Sequence, residues 1–225
     1  MSHLPEPDAP PGAADRRVPG ERGLATRRRL LEATRSLLEV RAIRDLKVVD
    51  IAREAATSPA TFYQYFPDVD AATLDLAREM AEGSSHLPQL VRSRSWRGAA
   101  AWESSVAVID AFLVFWEKHR ALLRVVDLHA DEGDQRFRQV RVRMLASLTD
   151  ALAEVMVRHR ASKPRRPDDP RAVGGVLVSM LARVAQRRYG FEFGGIRTDD
   201  LRAAMARHLY WGITGQSPRL PTTPR

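Results

Sequence analysis

The chain has 225 residues, of which 44% are hydrophobic, so it can build one large packed unit or two smaller ones and is too apolar for a disordered chain. With 36 Lys and Arg against 28 Asp and Glu, its formal net charge of +8 favours an anionic partner, either nucleic acid or an anionic membrane surface. The absence of cysteine excludes disulfides, thiolate metal sites and thiol nucleophiles.

The N-terminal segment MSHLPEPDAPPGAADRRVPGERG has no apolar run. It is read as a disordered basic arm over 1–21, not as a signal peptide. Arg16, Arg17, Arg22, Arg27, Arg28 and Arg29 stand against one glutamate in the stretch 16–29, a charge balance that suits phosphate or minor-groove contact. Arg27 and Arg28 adjoin the first helix and are the candidates in this stretch. The longest apolar run, Val106–Trp116, is broken by Asp110 and is too short to span a bilayer. A cytoplasmic protein with no membrane partner is expected.

Apolar spacing predicts about nine helices. Their approximate spans are 24–40, 48–55, 59–66, 70–82, 101–118, 121–130, 134–160, 170–188 and 199–213. Prolines cluster near both ends and at 164–170, which leaves 89–163 and 171–217 open to long helices. Gly83 and Pro88 bound a linker. The helix over 101–118 carries Trp102, Val106, Ile109, Leu113 and Trp116 on one stripe, and Val108, Phe112 and Phe115 on another, so it is expected to be wrapped by neighbours. The segment Gly190–Gly195 is too short to argue for a sheet. The fold class is all-α, with an N-terminal three-helix helix-turn-helix domain over 22–83, a larger C-terminal helical bundle over 84–217, and a tail over 218–225.

The informative stretch is Val48–Leu76, VVDIAREAATSPATFYQYFPDVDAATLDL. Two short helices are separated by Ala56, Thr57 and Ser58. The Ser58 hydroxyl can accept an orphan backbone N–H, and Pro59 sits where a helix needs no N–H. Phe62 and Phe66 share a face and are expected to pack inward. That leaves Ala60, Thr61, Gln64 and Tyr65 outward and Tyr63 on the flank, a surface suited to reading a major groove. Tyr63 is expected on phosphate, and Gln64 can pair bidentately with adenine.

At these residues the sequence resembles the tetracycline-repressor (TetR) family. The match is Ile51-Ala52, Ala55, then Ser58-Pro59-Ala60-Thr61-Phe62-Tyr63-Gln64-Tyr65-Phe66 and Pro67, within a resemblance over about Arg22–Gly83. Three positions depart from the family pattern. Ala56 replaces the usual turn glycine, so the turn must do without an easy positive φ. Lys47 replaces the usual Ser or Thr cap and offers a phosphate contact instead. Val69 replaces a lysine, so that family contact does not carry over. The DNA-binding set is therefore Arg27, Arg28, Lys47, Thr57, Ser58, Ala60, Thr61, Tyr63, Gln64 and Tyr65.

The resemblance implies a homodimer on an inverted-repeat operator in double-stranded DNA, joined through the eighth and ninth predicted helices (170–188 and 199–213). It also implies a pocket for an unknown small-molecule effector among the fifth to eighth predicted helices. The residues expected there are Trp102, Phe112, Phe115, Trp116, Met144, Leu148, Met180 and Arg183, with Gln186 beside them. Asp127, His129 and Asp131 alternate downstream of His119, but residues two apart on a helix do not share a face, so no metal site is assigned. No glycine loop for phosphate, nucleophile elbow or paired-carboxylate constellation stands out, so no cofactor, catalytic residue or enzyme activity is assigned. The expected function is a transcription regulator, a repressor released by a small apolar or amphipathic ligand. The alternative is a helical dimerisation or interaction protein whose basic arm binds nucleic acid or membrane non-specifically, which leaves Ser58–Phe66 unexplained.

Overall fold

The computed structural model describes residues 20–160 and 169–215, which form eleven α-helices and no β-strand. In chain order they are α1 (Glu21–Val40), α2 (Val48–Glu54), α3 (Pro59–Tyr65), α4 (Val69–Gly83), α5 (His86–Ser93), α6 (Ala100–Lys118), α7 (Arg120–Asp131), α8 (Gln135–Arg160), α9 (Pro170–Gln186), α10 (Arg188–Phe193) and α11 (Thr198–Thr214). A 3₁₀ turn, Ile43–Asp45, joins α1 to α2. The arm expected over 1–21 lies outside the described residues, except that Gly20 caps α1 and Glu21 opens it. The tail 218–225 also lies outside them.

All nine expected helices are present, and two short ones join them. The first is α5, where a linker was expected. Pro88 is its third residue, in the first turn, where the missing N–H has no intrahelical partner to lose. Leu87, Pro88 and Val91 are buried on its inner face. The second is α10, in the Gly/Phe segment.

The reading half is built on α1, whose Leu30, Leu31 and Leu38 are buried in one core with Ile51, Phe62, Phe66, Leu74 and Ala77. The other half is organised around α8, about 39 Å long at 1.5 Å per residue. It packs against α4, α5, α7, α9 and α11. Arg92 of α5 donates to both carboxylate oxygens of Glu154 on α8, at 2.7 and 3.0 Å. The two stripes of α6 meet α5, α7, α9 and α11, with Val114 on the open side. Arg202 of α11 donates to both carboxylate oxygens of Asp110 on α6. Two glycines set the closest approaches: a Cβ at Gly174 would lie 2.9 Å from the Thr149 carbonyl oxygen of α8, and one at Gly212 would lie 2.5 Å from Leu177 Cδ1 of α9.

Candidate DNA interface and ligand cleft

The turn between α2 and α3 is closed by two backbone hydrogen bonds. The Thr57 N–H donates to the Ala52 carbonyl at 2.8 Å and the Ala56 N–H to the Arg53 carbonyl at 3.1 Å, which together make a Schellman motif. That motif needs a left-handed residue after the cap. Ala56 supplies it at φ 50°, the one positive-φ non-glycine among the described residues. The turn thus keeps its positive φ without a glycine to make it easy: the two hydrogen bonds hold an alanine where glycine is easier. The next element starts as the sequence predicts. Ser58 Oγ accepts from the Thr61 N–H at 3.1 Å and lies 3.0 Å from Thr61 Oγ1, and Pro59 opens α3.

Phe62 and Phe66 are buried, with ring centres 5.6 Å apart. Ser58, Ala60, Tyr63 and Gln64 are exposed on the outer face of α3 and its cap, and Thr57 and Thr61 are half-buried. Tyr65 differs from its expected outward placement, since its ring is half-buried and packs on the core. Lys47 and Tyr63 line one open groove of about 570 Å³ with Val48, Pro59 and Pro67. Arg28 is exposed on α1. Arg27 is engaged within the molecule: it pairs with Asp75 of α4, and its guanidinium carbon lies 5.3 Å from the Phe66 ring centre.

In the C-terminal half, α7, α8 and α9 enclose an open cleft of about 210 Å³. Trp116, Leu123, Val126 and Met144 give it an apolar wall. Its polar side is a chain of contacts. Arg183 donates to Gln186 at 2.6 Å, Gln186 donates to Asp127 at 2.9 Å, and Arg141 lies 3.7 Å from Asp127 and donates to Asp131 at 2.7 Å. Burial raises the Asp127 carboxyl above its ordinary value, against the opposing pull of Arg141. The hydrogen bond from Arg141 lowers that of Asp131.

Of the expected ligand residues, Trp116, Met144 and Arg183 line this cleft. Phe112, Phe115 and Leu148, again with Trp116 and Met144, surround a separate gap of about 10 Å³ against Leu87 and Pro88 of α5. That is room for about one water, not a ligand cavity. The space is filled because the Phe112 and Trp116 rings stack with centres 5.3 Å apart. Trp102 lies elsewhere, edge-on to Tyr210 at 6.3 Å, and Met180 is half-buried and lines neither space. Sequence reasoning did not assign Arg141 to a site, and it read Asp127 and Asp131 only against a metal. Their shared signal is opposite charge on α7 and α8, where Asp127 and Asp131 meet Arg141. Among the described residues no group of His, Asp or Glu is placed to hold a metal ion.

The cleft is joined to the reading half through α7. The His129 ring stacks on Phe137 of α8 with centres 4.6 Å apart, and its Nε2 lies 3.5 Å from Asp70 Oδ1 in the first turn of α4.

Comparison with known proteins places both halves. Residues 30–71 match the model for bacterial regulatory proteins of the tetR family, and residues 87–220 match that for the tetracyclin repressor-like C-terminal domain. The chain belongs to the TetR family. An uncharacterized HTH-type transcriptional regulator of Haemophilus influenzae is 28% identical over 140 residues, 61% of this chain and 67% of that protein. A Rhodococcus protein of unknown function has the same fold at TM-score 0.65 and 20% identity, covering 90% of this chain and 100% of that one. The TetR-family repressor FadR of Thermus thermophilus, solved with lauroyl-CoA, aligns at TM-score 0.57 and 21% identity, covering 88% of this chain and 99% of that one.

As a TetR-family member the chain is a DNA-binding transcription regulator whose helix-turn-helix is α2 and α3. The C-terminal match begins at Leu87, inside α5, the helix that apolar spacing alone did not reveal. No helix among the described residues is long and apolar enough to cross a membrane.

Proposed function

We propose that this protein is a cytoplasmic, dimeric repressor that reads an inverted-repeat operator with α3 and leaves it when a small amphipathic ligand occupies the cleft between α7, α8 and α9. The observation that carries this reading is the cleft itself, with Trp116 and Met144 on an apolar wall and the Arg183–Gln186–Asp127 chain opposite. Ligand sites combine such walls with a few placed polar groups. The lauroyl-CoA complex of the Thermus repressor supports it by showing this fold with an amphipathic guest. On DNA, Ala60, Thr61 and Gln64 meet base edges, while Lys47, Tyr63, Thr57, Ser58 and Arg28 meet phosphates; Arg27 and Tyr65 support the head from behind. Dimerisation through α9 and α11 is supported by apolar side chains left outside, Val176 at 70% and Trp211 at 39% exposure.

Release needs only differential binding. A ligand that favours the wrong spacing of the two heads by ~1–3 kcal/mol lowers operator affinity about five- to 150-fold. The path offered is α7, which carries Asp127 at the cleft and His129 against Asp70 of α4. The test is selection of genomic DNA fragments by the purified protein, then titration of the selected site with laurate, the acyl part of the Thermus repressor's guest, as the first probe. An inverted repeat bound by a dimer, and its release by the probe in the wild type but not in Arg183→Ala, is expected. Binding to half a site by a monomer would overturn the dimeric reading. The filled interior around Trp116 favours one second reading, a regulator whose C-terminal domain only dimerises. Operator binding indifferent to every amphipathic probe would put that reading first.

A further inference from the structure

A second cavity lies at the junction of the two halves and shares no lining residue with the cleft. It is about 360 Å³ and is formed by α1, α4, α5 and α6. Four side chains that are or can become cationic face it: Arg35 from α1, His86 from α5, and Lys118 and His119 from α6. Glu79 of α4 is the acid among its lining residues. Arg35 is poorly satisfied for so short a list of partners. Its guanidinium lies 3.7 Å from Glu79 and 3.8 Å from Glu32, and its Nε is shielded from water with no hydrogen-bond partner. A buried donor left unmade is costly, and a guanidinium fork is shaped for two oxygens. Beside these charges stand Met80, Val114 and the ring of Phe115, on which His119 packs with centres 4.7 Å apart.

From this geometry we propose that the junction cavity is an effector site for a carboxylate carried on a compact apolar body, separate from the α7–α8–α9 cleft. The charge balance selects the class. Among the lining side chains, Arg35 and Lys118 against Glu79 leave one positive charge, which a monoanion neutralises; Glu32 touches Arg35 from outside the lining. The apolar wall then takes the body of the ligand. His119 fits the same picture. Burial, followed by Lys118, Arg35 and His86, lowers its pKa to about 4, so the ring is neutral at pH 7 and crowded by cations. A bound carboxylate offsets that crowding and raises it. Because Arg35 and Glu79 belong to the reading half and Phe115, Lys118 and His119 to the other, an occupant bridges the two.

The experiment uses the full chain and 2-naphthoate as the probe, followed by calorimetry and by the histidine ring signals in NMR. Acetate presents the head alone and 2-naphthalenemethanol the body alone. Saturable binding of 2-naphthoate is expected, with the His119 and His86 signals moving and the His119 pKa rising. Lys118→Gln, a change at an exposed position, weakens binding about tenfold, worth about 1.4 kcal/mol. Arg35→Gln does the same, and its melt checks that the head stays folded. Arg183→Gln, in the cleft, leaves this binding unchanged, so the two sites fail independently. The proposal is overturned if the alcohol binds as tightly as the acid, if Lys118→Gln and Arg35→Gln bind like the wild type, if Arg183→Gln is the variant that loses binding, or if millimolar 2-naphthoate does not bind.

Discussion

Arg27 of α1 pairs with Asp75 of α4 while lying over the ring of Phe66, the residue that caps the C-terminal end of α3. One guanidinium therefore ties the reading helix to the two helices behind it. The expected result of an Arg27→Ala, Asp75→Ala double-mutant cycle is a coupling of ~0.5–1 kcal/mol in thermal stability, the upper range for part-exposed pairs. Arg28→Ala on the next residue leaves the melt unchanged and lowers the salt slope of operator binding by about one phosphate contact. Zero coupling would remove the structural role given to Arg27.

Tyr63 and its neighbour Phe62 should separate cleanly. Phe62 is fully buried and Tyr63 is 58% exposed. Phe62→Ala is expected to cost ~3–5 kcal/mol, as other buried Phe truncations do. Tyr63→Ala stays within ~0.5 kcal/mol of wild type in stability and weakens DNA binding. Equal melts for the two variants would show that the facing of α3 is wrong.

Ala56→Gly should stabilise the protein. A left-handed alanine costs ~1–2 kcal/mol, and glycine gives back ~0.5–1 kcal/mol through its freer unfolded chain. The net gain is ~0.5–1 kcal/mol, readable as a higher urea midpoint at unchanged slope. A lower midpoint would contradict it.

His119 makes stability depend on pH. Its pKa is depressed from 6.5 to about 4 in the folded state, so the unfolded chain binds the proton more tightly. The contribution is complete above pH 6.5 and is lost as pH falls towards 4. Melts of His119→Gln should fall less steeply than wild type over that window. Asp134, held at about 2 by the hydrogen bond from Arg136, gives up most of its contribution at lower pH. Parallel curves for the two proteins would refute the assignment.

The two tight glycines should respond differently to alanine. At Gly174 the obstacle is the backbone oxygen of Thr149, which cannot move alone. At Gly212 it is the end of the flexible Leu177 side chain. Gly174→Ala is expected to cost ~1–3 kcal/mol and Gly212→Ala less. The reverse order, measured by chemical denaturation, would count against the α8–α9 packing described.

The reading head was legible because its signals are local. Ser58, Pro59 and the Phe62–Phe66 pair act within one or two turns, and each does in the structure what spacing predicts. Two kinds of feature were not legible. Short helices such as α5 carry too few turns to show a period, and Pro88 reads as a break unless its place in the first turn is known. The cleft depends on which long helices meet. Trp102 and Trp116 lie on one stripe of α6, yet the first meets Tyr210 of α11 and the second faces α7 and α8. Aromatic stripes report that a helix is covered, not what covers it. Ala56 shows a third limit: closure of a turn by two hydrogen bonds overrode a residue preference that the sequence states plainly.

The spacing of Asp127 and His129 on α7 has a mechanical meaning. At about 100° per residue, side chains two positions apart point about 200° away from each other. One touches the cleft and the other touches α4. Were α7 to roll about its own axis, both would turn through the same angle, and on opposite sides of the helix that carries them in opposite directions. A roll that draws Asp127 deeper into the cleft thus swings His129 the other way across Asp70. Turning in that way, the helix would act as a rocker with its pivot on its own axis, and its twelve residues would reverse the direction of a push.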